Sequence, residues 1–291
     1  IASLYSSEKN YKKSNFYSKI SNFLNKKFKF NLTLIAENFY INNNYSQSRI
    51  AVEEFDQGDG IYYWYKIKKN SQIILKENGI EQSSNYLKTN FKKIKNPSEK
   101  ILFDMANLSK SFKKYDEAIN YYNKILPKLN NDSSTYADVL YRRGGGFERL
   151  GDYVKSDKDL LKSLEIDPDD AYVLNYLAYS WLERNYKIDV AMQMLEKAYE
   201  QEPEDAFIID SIGWAHYLIG NYIKAEKLLK KAIQIMPDDP IVNDHYGDIL
   251  WHLDRKMEAQ YYWKSVLNFD DAEDKMKDKT YIKILKGLKK I

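Results

Sequence analysis

The chain has 291 residues, 45 Lys and Arg against 42 Asp and Glu, a net charge of +3, 44% hydrophobic side chains and no cysteine. The missing cysteine excludes a disulfide framework, Cys-ligated zinc, an iron–sulfur cluster and a thiol nucleophile, and no apolar run reaches the ~18 residues a membrane span needs. The apolar fraction excludes wholesale disorder, and 11 Gly with 6 Pro are too few for an all-β chain that turns at every hairpin. The 26 tyrosines read mostly as packing between helices with the hydroxyl at the surface. The chain opens on Ile1 rather than Met, which suggests a start inside a longer precursor.

Residues 1–28, with Tyr5, Phe16, Ile20, Phe23 and Leu24, read as an N-terminal helical segment contributing one helix. Beyond it the chain repeats itself. Pro168, Pro203 and Pro237 each follow an apolar helical stretch, at spacings of 35 and 34 residues. With Ala206 as position 1, position 4 is Ile209, 7 is Ile212, 8 is Gly213, 15 is Gly220, 20 is Ala225, 24 is Leu229, 27 is Ala232 and 32 is Pro237. Apolar residues at 4, 7 and 11 share one face of a first helix, and those at 20, 24 and 27 one face of a second. Small residues at 8 and 20 let the two helices approach. Gly at 15 ends the first helix in a left-handed conformation, and Pro at 32 stops the second.

In chain order, degenerate copies start near Lys29, Trp64 and Glu99 and occupy residues 29–136, with Ser48 and Ser83 standing where alanine is expected. The copy at 99 runs long because Asn130-Asn131-Asp132-Ser133 reads as an extended turn. Four well-formed copies follow over 137–271, starting at 137, 171, 206 and 240. Residues 272–291 supply a capping helix over Lys275–Ile291 with an apolar face of Met276, Ile282, Leu285 and Leu288. The expectation is an all-α solenoid of about seven antiparallel helix pairs.

These residues resemble the tetratricopeptide repeat (TPR) over roughly 29–271. The stretches Leu174-Asn175-Tyr176-Leu177-Ala178-Tyr179, Ile209-Asp210-Ser211-Ile212-Gly213-Trp214 and Val242-Asn243-Asp244-His245-Tyr246-Gly247 are similar to the C-terminal repeats of bacterial envelope TPR adaptors, including outer-membrane lipoproteins. The resemblance implies a right-handed superhelix that binds a protein or peptide without catalysis or cofactor, in the periplasm or at the envelope, with the cytoplasm as the alternative. A loose analogy within that group points to an envelope protease or its substrate as partner.

The resemblance also implies that positions 2, 5, 9 and 12 of the first helices face a concave groove. Position 5 holds Asn175, Asp210 and Asp244, position 9 Tyr179, Trp214 and Asp248, and positions 2 and 12 add Tyr172, Phe207, Tyr217 and Trp251. This predicts an aromatic groove edged with carboxylates, suited to apolar anchors and basic donors. The Lys and Asn clamp with which some TPR proteins hold a chaperone's C-terminal carboxylate is not assembled. Only Lys68 at 5 with Gln72 at 9 comes near it.

Little else carries chemistry. His216 falls at an inward position 11. His245, Asp248 and His252 share a stripe, but two helical turns separate the histidines, about 10.5 Å of rise, so no metal site is expected. Gly144-Gly145-Gly146 lacks the Lys-Ser/Thr of a phosphate loop and lies in a first helix, with Arg142 and Arg143 beside it facing solvent or an acidic partner group. Residues 1–100 hold 17 basic and 9 acidic side chains, whereas 137–271 hold 16 and 26. The basic third could touch a membrane surface or nucleic acid, although it carries no dense basic cluster. Three alternatives stand beside the groove adaptor: a structural subunit assembling through its convex face or end helices, RNA reading by helical repeats of about 35 residues, and an accessory domain of a larger enzyme. The acidic groove argues against the second.

Overall fold

A computed structural model describes residues 1–288, which form 17 α-helices and no strand. The helices cluster into two compact units, Ile1–Lys128 and Leu129–Ile291. Each is a stack of antiparallel helix pairs, the all-α solenoid arrangement that the repeat pattern predicts.

The first unit contains α1 (Ala2–Ser7), α2 (Tyr11–Leu24), α3 (Phe30–Ile41), α4 (Tyr45–Glu53), α5 (Ile61–Asn78), α6 (Ile80–Phe91), α7 (Glu99–Ser111) and α8 (Tyr115–Ile125). Where one helix is expected over 1–28 there are two, because Lys9 takes a left-handed φ of 59° and the Asn10 side chain caps α2 by accepting from the Lys13 amide. The second unit contains α9 (Ser134–Arg149), α10 (Tyr153–Ile166), α11 (Ala171–Glu183), α12 (Ile188–Gln201), α13 (Ala206–Leu218), α14 (Tyr222–Ile235), α15 (Pro240–His252), α16 (Lys256–Asn268) and α17 (Asp274–Lys286).

Each rule of the repeat has a visible cause. In six of the seven copies position 15 is left-handed whether or not it is glycine: Asn43, Lys113, Asn185 and Asp254 have φ between 53° and 62°, beside Gly151 and Gly220, and in the copy near Trp64 the left-handed residue is Gly79, one place later. Asp170, Asp205 and Asp239 follow the helix-stopping prolines, and each accepts from two amides of the next first turn. At the small positions the helices nearly touch. A Cβ on Gly213 would stand 2.9 Å from Leu229 Cγ, and one on Gly247 2.5 Å from the Trp263 indole. Gly144 is the same kind of position, where a Cβ would stand 3.0 Å from Leu160 Cγ of α10, while one on Gly145 would stand 3.3 Å from the Tyr176 hydroxyl of α11. The serines that replace alanine donate to the facing helix, Ser48 Oγ to the Ala36 carbonyl at 2.9 Å and Ser83 Oγ to the Ser71 carbonyl at 2.7 Å.

The capping helix departs from its expected rotation. Ile282 and Leu285 are 54% and 63% exposed, while Thr280 is fully buried and Ile284 and Leu288 pack on the core. The helix ends at Lys286, ahead of Gly287 at φ 68°, so the helix expected to Ile291 stops before 287–288; the rest of that expectation, 289–291, lies outside the described residues.

Candidate functional site

The predicted groove residues lie on α11, α13 and α15, which run side by side as the first helices of consecutive repeats. Position 2 stands at the first turn of each, and there Tyr172 and Phe207 are 52% and 59% exposed. Ile241, the position-2 residue of the next repeat, is 44% exposed. Sequence reasoning missed Ile241, although the repeat ruler places it in this row.

Positions 5, 9 and 12 are internal. Asp210 is 5% exposed, and both its oxygens lie within hydrogen-bond distance of His245 Nδ1, at 2.9 and 3.1 Å. The His245 ring stacks on Trp214 at 4.0 Å and lies 6.3 Å from Tyr179. Trp214 stacks in turn on Tyr217 at 4.7 Å, whose hydroxyl meets His252 Nδ1 at 3.0 Å. Tyr179, Trp214 and Tyr217 thus join one ladder of rings, threaded by the two histidines. The histidines hold separate partners instead of converging.

The remaining carboxylates belong to α17. Lys283 Nζ donates to Asp244 at 2.7 Å and to both oxygens of Asp248 at 2.8 Å. Thr280 Oγ1 adds a bond to Asp244 and the Trp263 indole one to Asp248. Trp251 is half-buried against Trp263 at 5.3 Å, and Gly287 lies against it so closely that a Cβ there would sit 2.1 Å from the Trp251 ring. The groove expected to offer three carboxylates to a partner therefore has all three in internal pairs. The expectation fails because position 5 or 9 of one repeat reaches position 6 of the next. Lys68 donates to Asp104 at 2.6 Å, Lys69 to Glu37 at 2.8 Å, and Tyr141 packs edge-on against Tyr176 at 5.7 Å. Lys283 fills that role after the last repeat. The near-clamp residue Lys68 is occupied in the same way. The two arginines beside the glycines are paired too, Arg142 with Asp138 and Arg143 in a two-pronged bond to buried Asp159.

Burial governs the protonation of this cluster. It pushes the Asp248 carboxyl up to about 6, with Asp244 adding to the rise and Lys283 opposing it. Burial draws the Lys283 ammonium down, but Asp248 and Asp244 outweigh it and hold the group above its ordinary value. The same balance raises His245: desolvation opposes its charge, and Asp210, then Asp244 and Asp248, more than restore it. His216, buried as expected, is lowered by desolvation. Asn175 is half-buried, and its Oδ1 has no hydrogen-bond partner among the described residues. No group of three or more potential metal ligands occurs among the described residues.

Known proteins show the same architecture. The family model for the tetratricopeptide repeat matches residues 99–126, the α7–α8 pair. A TPR repeat-containing protein of Pseudomonas aeruginosa is 33% identical over 111 residues, which is 38% of this chain and 19% of that protein. The chain therefore matches less than a fifth of that relative's length. A tetratricopeptide repeat protein from Parabacteroides merdae superposes with a TM-score of 0.68 at 14% identity, covering 87% of this chain and 98% of its own. A thermophilic TPR protein from Thermus thermophilus gives 0.54 at 18%, covering 65% and 100%. At these identities the structural likeness carries the fold alone. The repeat ruler, the paired helices and these matches agree: the chain carries a tetratricopeptide repeat at α7–α8 and has the helix-pair fold of tetratricopeptide-repeat proteins.

Proposed function

We propose that the chain is a non-catalytic protein–protein interaction scaffold that holds a partner peptide along the first turns of α11, α13 and α15. The observation that carries this reading is the exposed row Tyr172, Phe207 and Ile241, one side chain per repeat on three successive repeats. Large apolar side chains at regular spacing on a rigid stack make anchor points. The surrounding repeats are acidic, 26 carboxylates against 16 basic groups over 137–271, which favours a peptide carrying basic residues between apolar anchors. The bacterial envelope and an envelope protease or its substrate remain the proposed setting and partner class, supported by the resemblance of the C-terminal repeats; fractionating source cells reads the compartment.

A second reading has its own observation. Val154, Val190, Ile223 and Met257, near the start of the second helices, are 83%, 43%, 77% and 86% exposed. That row suits assembly into a larger complex. A photo-crosslinking residue at 207 or at 223 separates the two readings, using peptides selected from a random library on the intact chain. Crosslinks at 207, with a tenfold or roughly larger loss of affinity in Tyr172→Ser/Phe207→Ser, support the first-helix site. Crosslinks confined to 223 would move the binding surface to the second helices.

A further inference from the structure

Helix α2 is built inside out. Its protein-facing side is polar: Ser14 and Ser18 are fully buried, Asn38 Nδ2 donates to Ser14 Oγ and Asn15 Oδ1 at 2.8 Å each, and Asn31 Nδ2 to Ser21 Oγ at 3.0 Å. Its outward side is apolar. Phe16, Ile20, Phe23 and Leu24 are 60%, 41%, 81% and 76% exposed, and their spacing places them on one stripe. Phe28 and Phe30, just past the helix, are also exposed.

The charge within this segment has one sign, Asp59 entering from outside it only to pair with Lys29. Residues 9–36 contain seven lysines and no Asp, Glu or Arg. Lys12, Lys19, Lys26 and Lys27 are exposed and make no ion pair among the described residues. Protein interfaces favour Arg and exclude Lys from their centres, so the composition argues against a protein partner here. Apolar side chains bordered by lysines match the boundary between acyl chains and anionic headgroups. The helix is about 21 Å long at 1.5 Å per residue, enough to lie in a membrane plane, and no helix among the described residues is long and apolar enough to cross one.

We propose that α2 docks this chain on an anionic lipid bilayer, with Phe16, Ile20, Phe23 and Leu24 entering the acyl boundary and Lys12, Lys19, Lys26 and Lys27 meeting the phosphates. The site lies in the first unit and does not depend on the peptide surface of the second.

Flotation of the full chain with lipid vesicles tests it. The chain is expected to float with vesicles of phosphatidylcholine containing ~30 mol% phosphatidylglycerol, and not with phosphatidylcholine alone. Raising salt from about 0.1 to about 0.5 M should cut binding roughly tenfold or more. Phe16→Ser/Phe23→Ser/Leu24→Ser and Lys12→Glu/Lys19→Glu should each abolish flotation. All five side chains are exposed, and circular dichroism checks that the variants stay folded. Absence of flotation, or flotation that survives the Phe and Leu changes, overturns the proposal. So does a failure to float accompanied by self-association that the triple variant removes, which would assign the stripe to a second copy of the chain.

Discussion

Replacing Lys283 by Met removes the one cation from a buried pair of carboxylates. The ammonium bonds Asp244 at 2.7 Å and Asp248 at 2.8 Å, with the Lys283 and Asp248 side chains only 18% and 6% exposed. Breaking such a pair from one side costs about 3–5 kcal/mol, because the other charge stays buried. Asp248 has an escape. Its carboxyl already titrates near 6, and without Lys283 it rises further. A raised carboxyl pKa means that the folded state binds the proton more tightly, so stability is retained at low pH and lost as pH rises through the folded value. At pH 8 the variant should lose about 3 kcal/mol. At pH 5, with Asp248 protonated, the loss should fall to about 1 kcal/mol, the worth of ordinary hydrogen bonds. At about 2–4 °C per kcal/mol for a unit of this size, these are shifts of roughly 6–12 °C and 2–4 °C. Thermal unfolding of variant and wild type at both pH values, followed by tryptophan fluorescence, measures the difference, since Trp251 and Trp263 sit beside the cluster. Adding Asp248→Asn should recover most of the loss at pH 8. An equal loss at both pH values would refute the reasoning.

Three further outcomes follow from the same geometry. His245 is raised above its ordinary 6.5, so its contribution is complete below pH 6.5 and is lost as pH rises through the folded value; the urea-midpoint gap between wild type and His245→Asn should narrow from pH 6 upward, and a gap that widens contradicts the Asp210 pairing. Gly247→Ala places a Cβ 2.5 Å from the indole of fully buried Trp263, and should cost about 1–3 kcal/mol in denaturant unfolding. Ser83→Ala removes a 2.7 Å bond to the Ser71 carbonyl and a 2.8 Å bond to its hydroxyl; a loss of about 1 kcal/mol should be seen as faster amide exchange in α5 and α6, with α15 and α16 unchanged.

The fold was legible because its rules are local: a small residue at a helix crossing, a left-handed residue at position 15 and a proline after the second helix each act within one repeat. The candidate site was less so, because its chemistry is between repeats. Asp210 and Asp244 both look like free groove carboxylates until His245 and Lys283 are brought against them by the neighbouring helix. The pairing had a signal in residues one repeat apart, as with Tyr141 and Tyr176 or Lys68 and Asp104. Helix α17 misleads for a related reason. Its apolar stripe predicts one rotation, but leaving two buried carboxylates unpaired costs more than exposing Ile282 and Leu285, so the helix turns Lys283 inward. In α2 the buried face is serine, which a search for apolar periodicity does not see.

A chain of similar helix pairs must also avoid joining the wrong halves while it folds. The crossing points give each pair an identity. Trp263 of α16 fits against Gly247 because no Cβ is there; set against Ala178 of α11 or Ala106 of α7, the same indole would collide. At the same position in α8, Tyr122 is buried with its hydroxyl on Asn107 of its own partner α7, at 2.7 Å. Ser71 and Ser83 bond across the α5–α6 crossing, a pairing that an alanine crossing cannot return. The residues that bring two helices close thus also act as labels, sorting each second helix to the first helix it follows.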